Sequence, residues 1–232
     1  MTDVIARPAT PPSPAEAVED GLSRIAEIPG AEAAQPATSW AKRAIDIIGA
    51  SLAILVFLPL LCCIALAIKL ETGGPAIFKQ RRTGHLGRIF TIYKFRTMTV
   101  AEDCANVRQA TRNDSRVTVV GALLRKLSLD ELPQFFNVLQ GDMSIVGPRP
   151  HALAHDAQYS TQIDDYADRF RAKPGLTGLA QVNGLRGEIR DLRCMRDRIA
   201  ADNLYIDSWS LGLDIAILAK TVLVIFRDPQ AY

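Results

Sequence analysis

The chain has 232 residues, of which 48% are hydrophobic and 22% charged, a composition that excludes a fibrous or wholly disordered protein. Its net charge is only +2, so the total charge gives no indication of nucleic-acid binding. Four cysteines are too few for a disulfide scaffold in a chain of this length, and three scattered histidines do not predict a His/Cys metal site. The cysteines are interpreted as reduced thiols in a cytosol-facing protein.

The first 40 residues differ sharply from the rest. They hold six of the 13 prolines, and residues 1–41 carry two of the 27 basic and six of the 25 acidic residues, so the remainder has a net charge of +6. A stretch with so little apolar surface cannot offset the entropy lost on ordering. The composition therefore predicts a disordered tail over residues 1–40, and the lack of a basic segment before an apolar core argues against a signal peptide.

An uncharged run of 22 residues, 47–68, follows the tail. Its length predicts a membrane helix over residues 41–70. Pro59 has no N–H to donate and is expected to kink or break this helix. Basic residues on both flanks favour a re-entrant hairpin over a single span, and either topology places the remaining domain, residues 71–232, on the cytoplasmic side. The flanking basic residues are Lys42, Arg43, Lys69, Lys79, Arg81, Arg82 and Arg88.

The remaining pattern predicts an α+β fold with a mainly helical domain. Two strand-like segments within residues 75–99, separated by glycines, predict a small β-hairpin. The pattern over residues 119–137 is helical, and a helix is expected to begin at Ser128 because Ser128 and Glu131 have the capping-box spacing. Charged amphipathic helices are expected over residues 152–171 and 188–207, and an interfacial helix lying on the membrane over residues 211–226.

The densest group of candidate catalytic residues follows. Asp130 and Glu131 are adjacent carboxylates preceded by Arg125 and Lys126. One carboxylate of such a pair can attack phosphorus or bind a divalent cation while the other positions the metal or a proton, although solvated acids at a helix N-terminus give the same pattern. Arg149 stands between two prolines in a loop suited to holding a guanidinium on a phosphate, although an ordinary turn is the alternative.

Two further segments could bind an anionic substrate. On a strand, Lys94 and Arg96 share one face and could grip a diphosphate, with a solvated basic face as the alternative. The glycine-rich stretch 173–184 contains Gln181 and Asn183, whose amides could bind a base or sugar, with a plain surface loop as the alternative. The chain has no G-x-x-x-x-G-K-[ST] sequence, which excludes a P-loop NTPase, and no G-x-S-x-G elbow.

The order of these segments resembles the bacterial sugar transferases, the small monotopic phosphoglycosyl transferases that start exopolysaccharide and glycan assembly. The resemblance covers approximately residues 40–228. It is carried by KRAID before the apolar run, then IYKFRTM, LSLDELPQFFNVLQGDMSIVGPRP, KPGLTGLAQVNG and DNLYIDSWSLGLDIAILAKTV. Because the central stretch is long and specific, the chain is identified as a member of this family by resemblance.

The resemblance implies that a sugar 1-phosphate passes from a UDP-sugar to undecaprenyl phosphate, releasing UMP, at the bacterial inner membrane. It implies that Asp130 is the nucleophile of an aspartyl–phosphosugar intermediate, close to Mg2+, and that Glu131 orients the acceptor phosphate or its proton. Arg149 would contact phosphate, and Asp202, at an acidic position of the family, is a second candidate Mg2+ ligand. The other candidate substrate-binding residues are Lys94, Arg96, Arg125, Gln181 and Asn183.

Two alternatives stay open. A hydrolase of polyprenyl diphosphates or nucleotide sugars would use the same carboxylates without a lipid acceptor. A non-enzymatic, membrane-anchored scaffold of a polysaccharide complex would not need Asp130, but a lipid-binding surface needs neither paired carboxylates nor a rigid arginine loop. The sequence does not name the sugar, and the resemblance to short exopolysaccharide-type members favours glucose or galactose. The expected partners are a UDP-sugar, undecaprenyl phosphate and membrane lipid, without nucleic acid.

Overall fold

A computed structural model describes residues 33–99, 114–187, 189 and 191–227. The predicted tail lies largely outside these residues. Its described end is helical, because α1 spans Gln35–Thr38 and the next helix, α2, begins at Trp40. The amide of Ala34 donates to the carbonyl of Arg171 at 3.0 Å, so the chain is already attached to the domain before the apolar run begins.

The long apolar run forms one continuous helix, α2, which spans Trp40–Glu71 and contains Pro59 in its interior. Of the two outcomes predicted for Pro59, a break is not observed, and a kink within a continuous helix stays a prediction. A proline removes a single backbone hydrogen bond, at a cost of about 3 kcal/mol, and a helix of 32 residues keeps the bonds of its flanking turns. The helix is long and apolar enough to cross a membrane, as its composition predicted.

Both ends of α2 pack on the same domain. At the N-terminal end, the buried Asp46 accepts hydrogen bonds from the Ser144 hydroxyl at 3.0 Å and the Ile145 amide at 2.9 Å. At the C-terminal end, Ile64 and Ile68 are buried in a cluster with residues of two later elements. Between these contacts the large apolar side chains are exposed, namely Leu52, Leu55, Val56, Phe57, Leu58 and Leu60.

The basic residues before the apolar run serve the fold. Lys42 is 4% exposed and pairs with Asp214 at 2.7 Å, in contact with the hydroxyl of Tyr205 at 3.2 Å. Arg43 donates to the carbonyls of Val138 and Leu139 at 2.6 and 2.8 Å. The flank that was interpreted as a positive membrane boundary is therefore engaged with the domain, because these cations meet an acid and helix-terminal carbonyls far along the chain.

The predicted hairpin is confirmed. Strands β1 (Ile77–Thr83) and β2 (Ile89–Phe95) pair antiparallel, with Lys94 opposite Phe78. Asn137, which is fully buried, joins this hairpin to a helix by accepting from the Tyr93 amide and donating to the Thr91 carbonyl. Its side chain therefore satisfies backbone groups of β2 and fixes the hairpin on the domain.

The segment after residue 118 was predicted to be helical, and it forms two short helices with a 3-10 turn between them. Helix α3 spans Val119–Lys126, a 3-10 turn spans Leu129–Glu131, and α4 spans Gln134–Gln140. The prediction that a helix begins at Ser128 is wrong, since Ser128 has a φ of 55° and its hydroxyl caps no amide. The Glu131 carboxylate is held by cations from other elements and cannot complete a capping box.

A short parallel pair follows, formed by β3 (Ser144–Val146) and β4 (Gly175–Thr177). Between these strands lie α5 (Leu153–Ser160) and a 3-10 turn over Tyr166–Arg171, so the helix predicted for residues 152–171 is interrupted. Helices α6 (Leu179–Val182), α7 (Leu192–Asp207) and α8 (Leu211–Arg227) complete the domain. The predicted α+β class, with one long apolar helix and a small hairpin, is confirmed.

Candidate active site

Glu131 lies at the centre of a cluster of charges from three separate elements. Its Oε1 accepts from Lys94 Nζ of β2 at 2.7 Å and from Arg149 NH2, in the loop after β3, at 2.5 Å. Its Oε2 accepts from Arg149 NH1 at 3.1 Å, which completes a two-pronged pair. The fold therefore brings to Glu131 two residues that lie 18 and 37 positions away along the chain. The 3-10 turn, the hairpin and the β3 loop each contribute one charged group.

These contacts decide the ionisation of Glu131. Burial alone would raise the pKa of this carboxyl, but the charges and hydrogen bonds of Arg149 and Lys94 outweigh it and hold the pKa far below its ordinary value. The pKa of the Arg149 guanidinium is raised, chiefly by the Glu131 charge. Glu131 is therefore a permanent anion whose oxygens are already occupied, a group that orients two cations.

Asp130 is in a different state. Its carboxylate accepts no hydrogen bond from the residues that the structure describes. Burial, and then the adjacent Glu131 charge, raise the pKa of Asp130, while the charges of Lys94, Arg125 and Arg149 act in the opposite direction. A carboxylate with unoccupied oxygens and raised basicity is the better nucleophile or metal ligand of the two. The adjacent carboxylates thus have different environments and can have different roles.

The backbone of the loop that carries Arg149 is held by a hydrogen bond from a buried arginine, Arg169. Arg169 is 2% exposed, and its NH2 donates to the backbone carbonyl of Arg149 at 2.5 Å and to Asp202 Oδ2 at 2.8 Å. Its NH1 lies 2.7 Å from His151 Nδ1, and Asp156 lies 3.7 Å away. Burial and the charge of Arg169 lower the pKa of His151, so this imidazole is neutral at pH 7 and accepts at that atom.

The glycine-rich stretch supports the same loop. The amide of Gly175 donates to the carbonyl of Pro148 at 2.8 Å, and the amide of Gly147 donates to the carbonyl of Thr177 at 2.8 Å. A Cβ at Gly147, Gly175 or Gly178 would collide with backbone atoms of the opposing segment. These glycines therefore permit close approach of two backbones, whereas the sequence was interpreted as permitting approach of a ligand.

The structure brings only part of the predicted set together. Glu131 contacts Lys94 and Arg149. The charge of Arg125 lowers the pKa of Asp130, and Arg125 Nε donates to the Thr97 hydroxyl at 3.0 Å. The others have different surroundings. Arg96 donates to the Thr72 and Gly73 carbonyls after α2, Gln181 donates to the Leu176 carbonyl, Asn183 is exposed, and Asp202 pairs with Arg169.

Sequence reasoning missed Arg169 and a second nearly buried arginine, Arg198 of α7. Arginine is rarely buried without a partner, so a pattern of residue types predicts an exposed side chain at both positions. No local spacing pointed to either residue, because the partners of Arg169 lie 20 and 33 positions away. Packing of α7 against the 3-10 turn at Tyr166–Arg171 brings Arg198 near Arg169, which only the tertiary structure reveals.

The predicted Mg2+ can be tested against the donor groups. Within the described ranges, no three His, Cys, Asp or Glu side chains form a metal-binding group. Magnesium ions at phosphate-transfer sites are commonly held by one or two carboxylates, substrate phosphates and water. The unoccupied carboxylate of Asp130 fits that requirement. Asp202 Oδ2 is bonded to Arg169, Oδ1 is buried without a hydrogen-bond partner, and the side chain is 1% exposed, so its assignment as a second Mg2+ ligand stays a prediction.

Comparison with known proteins gives a family match over most of the chain and several similar relatives. Residues 37–228 match the family described as bacterial sugar transferase. A UDP-glucose:undecaprenyl-phosphate glucose-1-phosphate transferase of Caulobacter vibrioides is 53% identical, over 88% of this chain and 76% of the relative. The Escherichia coli protein of the same name is also 53% identical, over 82% of this chain and 41% of its own length. Exopolysaccharide production protein PSS of Rhizobium leguminosarum is 44% identical, over 78% of this chain and 93% of the relative.

Proposed function

The chain belongs to the bacterial sugar transferase family and is a phosphoglycosyl transferase, and we propose that it passes a hexose 1-phosphate from a UDP-sugar to undecaprenyl phosphate through an aspartyl intermediate. The observation that carries this proposal is the contrast between two adjacent carboxylates. Asp130 has no hydrogen-bond partner among the described residues, whereas Glu131 is bound by Lys94 and Arg149. Relatives named for UDP-glucose support glucose as the sugar.

In the first half-reaction, a carboxylate oxygen of Asp130 attacks the phosphorus that bears the sugar. A bond forms between this oxygen and phosphorus, and the bond from phosphorus to the bridging diphosphate oxygen breaks. UMP leaves with the electron pair of that bond. The raised pKa of Asp130 reflects a carboxylate of increased basicity, which favours attack once the group is ionised.

In the second half-reaction, an oxygen of undecaprenyl phosphate attacks the same phosphorus and restores the Asp130 carboxylate. The product is an undecaprenyl diphosphate sugar. Two successive displacements on one nucleophile predict ping-pong kinetics. The acceptor phosphate is an anion that must approach another anion, so this step depends on fixed cations that lower the mutual repulsion.

The cations beside Glu131 have donors left for substrate. A lysine ammonium has three N–H donors and an arginine guanidinium five. Glu131 takes one from Lys94 and two from Arg149, and the Arg149 side chain is 35% exposed. The remaining donors can bind phosphate oxygens without moving either side chain. Glu131 thus orients the cations in advance, which lowers the cost of reorganisation during transfer.

Asp130 and the substrate phosphates could together serve as ligands of Mg2+. Bound there, it would neutralise charge on the phosphate oxygens and hold the donor in line. The protein's own contribution is to leave Asp130 unoccupied, to keep Glu131 ionised and to hold Arg149 in a rigid loop. Asp202 contributes to that rigidity through Arg169.

We also propose that α2 enters the membrane and returns to the same side. Ala50 and Leu61, which are 11 positions apart, are both buried against the domain, so the segment between them rises only about 16 Å along a helix. A bend at Pro59, inside this segment, lets the helix turn back toward the side from which it entered. The hydrocarbon core of a bilayer is about 30 Å thick, so the exposed middle of α2 can reach one leaflet while both ends stay with the domain. The catalytic domain then lies at the headgroup level on the cytoplasmic face.

Topology is tested by cysteine labelling at both ends of this helix. Trp40 and Leu70 are 83% and 78% exposed, so Trp40→Cys and Leu70→Cys report their own sides of the membrane. The four native cysteines are first replaced by serine. With a membrane-impermeant maleimide, both positions should react in inverted vesicles and neither in intact spheroplasts. Labelling of the two positions from opposite sides would contradict the re-entrant topology.

The reaction is tested by UMP release from the purified full-length protein. The assay contains Mg2+, undecaprenyl phosphate and UDP-glucose, UDP-galactose or UDP-N-acetylated hexoses, with Asp130→Asn in parallel. We expect multiple turnovers only with the acceptor, fastest with UDP-glucose, and none with the variant. Sustained UMP release without the acceptor would favour the hydrolase, and full function of Asp130→Asn in cells would favour the scaffold. The exposed Asp197→Asn on α7 is a matched charge control.

A further inference from the structure

Arg198 of α7 is a nearly buried cation that forms no ion pair with a described residue. The residue is 7% exposed, and no carboxylate of a described residue lies within ion-pair distance. Its Nε is buried without a hydrogen-bond partner, and its one described bond is from NH2 to the carbonyl of Gly187 at 3.3 Å. An ionised group is expensive to bury without a partner, so this arrangement is unfavourable for the fold alone.

The nearest buried acid on the same helix does not form an ion pair with Arg198. Asp202 lies one helical turn after Arg198, on the same buried face of α7. Its Oδ2 is bonded to Arg169 at 2.8 Å, and no ion pair joins Asp202 to Arg198. The Asp202 carboxylate therefore hydrogen-bonds Arg169, and it acts on Arg198 only through its charge, without a direct contact.

Arg198 also lies close to the candidate active site. The face of α7 that carries it bonds through Asp202 to Arg169, and Arg169 bonds to the backbone of Arg149. Burial and the positive charges of Arg149 and Arg169 lower the pKa of Arg198, while the Asp202 charge acts in the opposite direction. Three arginines therefore lie near one another at this place, two of them close enough to affect the ionisation of Arg198. Like charges held together in a partly desolvated place are typical of a site that receives an anion.

We propose that Arg198 and Arg149 together form a subsite for a substrate phosphate oxyanion. This inference rests on the proposed function for the identity of the substrate, because that reaction brings two anions to the site. The oxyanion belongs either to the diphosphate of the donor or to the phosphate of the lipid acceptor. Bound phosphate would give Arg198 the charged partner that the described residues do not supply.

Binding is tested without catalysis, using inorganic pyrophosphate and the full-length protein in detergent with Mg2+. Isothermal titration calorimetry compares Arg198→Met with the wild type and with Arg196→Gln, an exposed arginine of the same helix. We expect the dissociation constant to rise by about 10-fold or more in Arg198→Met, since hydrogen bonds to charged groups contribute at that level. Arg196→Gln should bind like the wild type, and Arg198→Lys should recover part of the affinity.

Thermal unfolding separates binding from a structural role. If Arg198 serves an anion, Arg198→Met removes an unbalanced buried charge and should unfold at the wild-type temperature or above. A lower unfolding temperature with unchanged pyrophosphate affinity would overturn the proposal. If Arg198→Met fails to fold, Arg198→Lys gives the same test, because its point charge keeps the ionic balance and loses the guanidinium fork.

Kinetics then distinguish the two sources of phosphate. In a ping-pong reaction, kcat/KM for each substrate reports its own half-reaction. A fall confined to the UDP-sugar assigns the subsite to the donor, and a fall confined to undecaprenyl phosphate assigns it to the acceptor. Unchanged values for both, with wild-type pyrophosphate affinity, would refute the subsite while leaving the transferase activity intact. Lack of activity in the wild type would instead refute the proposed function and leave the calorimetric result valid.

Discussion

Replacing Gly147 by alanine should disable the enzyme through the position of Arg149, two residues along the chain. The added Cβ would lie 3.0 Å from the Gly175 amide nitrogen and closer still to the Lys173 carbonyl oxygen, inside the 3.4 Å at which ordinary contact begins. Both neighbours are backbone atoms of the β4 segment, so neither can rotate away. The β3 loop must shift, and overpacking of this kind costs about 1–3 kcal/mol.

The consequence for catalysis should exceed the consequence for stability. A displacement on the order of 1 Å at a catalytic group can cost about 100-fold in rate. We therefore expect kcat/KM for the UDP-sugar, measured by UMP release, to fall by about 100-fold while the protein remains folded. Gly73→Ala is the matched control, because a Cβ there meets no atom within 4 Å. Activity of Gly147→Ala within threefold of the wild type would refute the claim that this close contact positions the loop.

Three further changes test separate parts of the site. Asp202→Asn should lower the thermal unfolding temperature, because it leaves the buried Arg169 without its acid, but the half-saturating Mg2+ concentration should not change. An increased Mg2+ requirement would instead support Asp202 as a metal ligand. Glu131→Gln should move the acidic limb of the kcat/KM profile to lower pH, because burial and then the Glu131 charge raise the pKa of Asp130; a limb displaced to higher pH would contradict this electrostatic assignment. Lys42→Met should cost about 3–5 kcal/mol by leaving Asp214 buried without its cation, as measured by unfolding in detergent, and wild-type stability would show that the pair is not structural.

Local patterns predicted the parts of the fold that depend on neighbouring residues. Two strand-like segments separated by glycines located the hairpin and therefore placed Lys94 on a strand, and an uncharged run located α2. The rigid prolines around Arg149 indicated a fixed cation, and the structure pairs it with Glu131. These features are determined within a few residues, so periodicity and turn chemistry are sufficient to find them.

The predictions that failed depended on contacts between distant parts of the chain. The capping box at Ser128 was lost because partners 18 and 37 positions away occupy the Glu131 carboxylate. Lys42 was interpreted as part of a positive membrane flank, but it meets Asp214 172 positions later. Asp202 stays a candidate metal ligand, although its contact with Arg169, 33 positions earlier, could not be predicted from local sequence either. An acidic or basic residue has the same local signature whether it binds a ligand or balances a buried charge, so only tertiary packing can separate the two.

The most direct test of the central claim is a search for the covalent intermediate on Asp130. Purified protein is incubated with Mg2+ and radiolabelled UDP-glucose in the absence of undecaprenyl phosphate, and both UMP and protein-bound label are measured. The mechanism predicts a burst of at most one UMP per enzyme, an equal amount of label on the protein, discharge of that label by undecaprenyl phosphate, and none of these in Asp130→Asn. UMP release that requires the acceptor from the first turnover, with no label on the protein, would contradict the aspartyl intermediate.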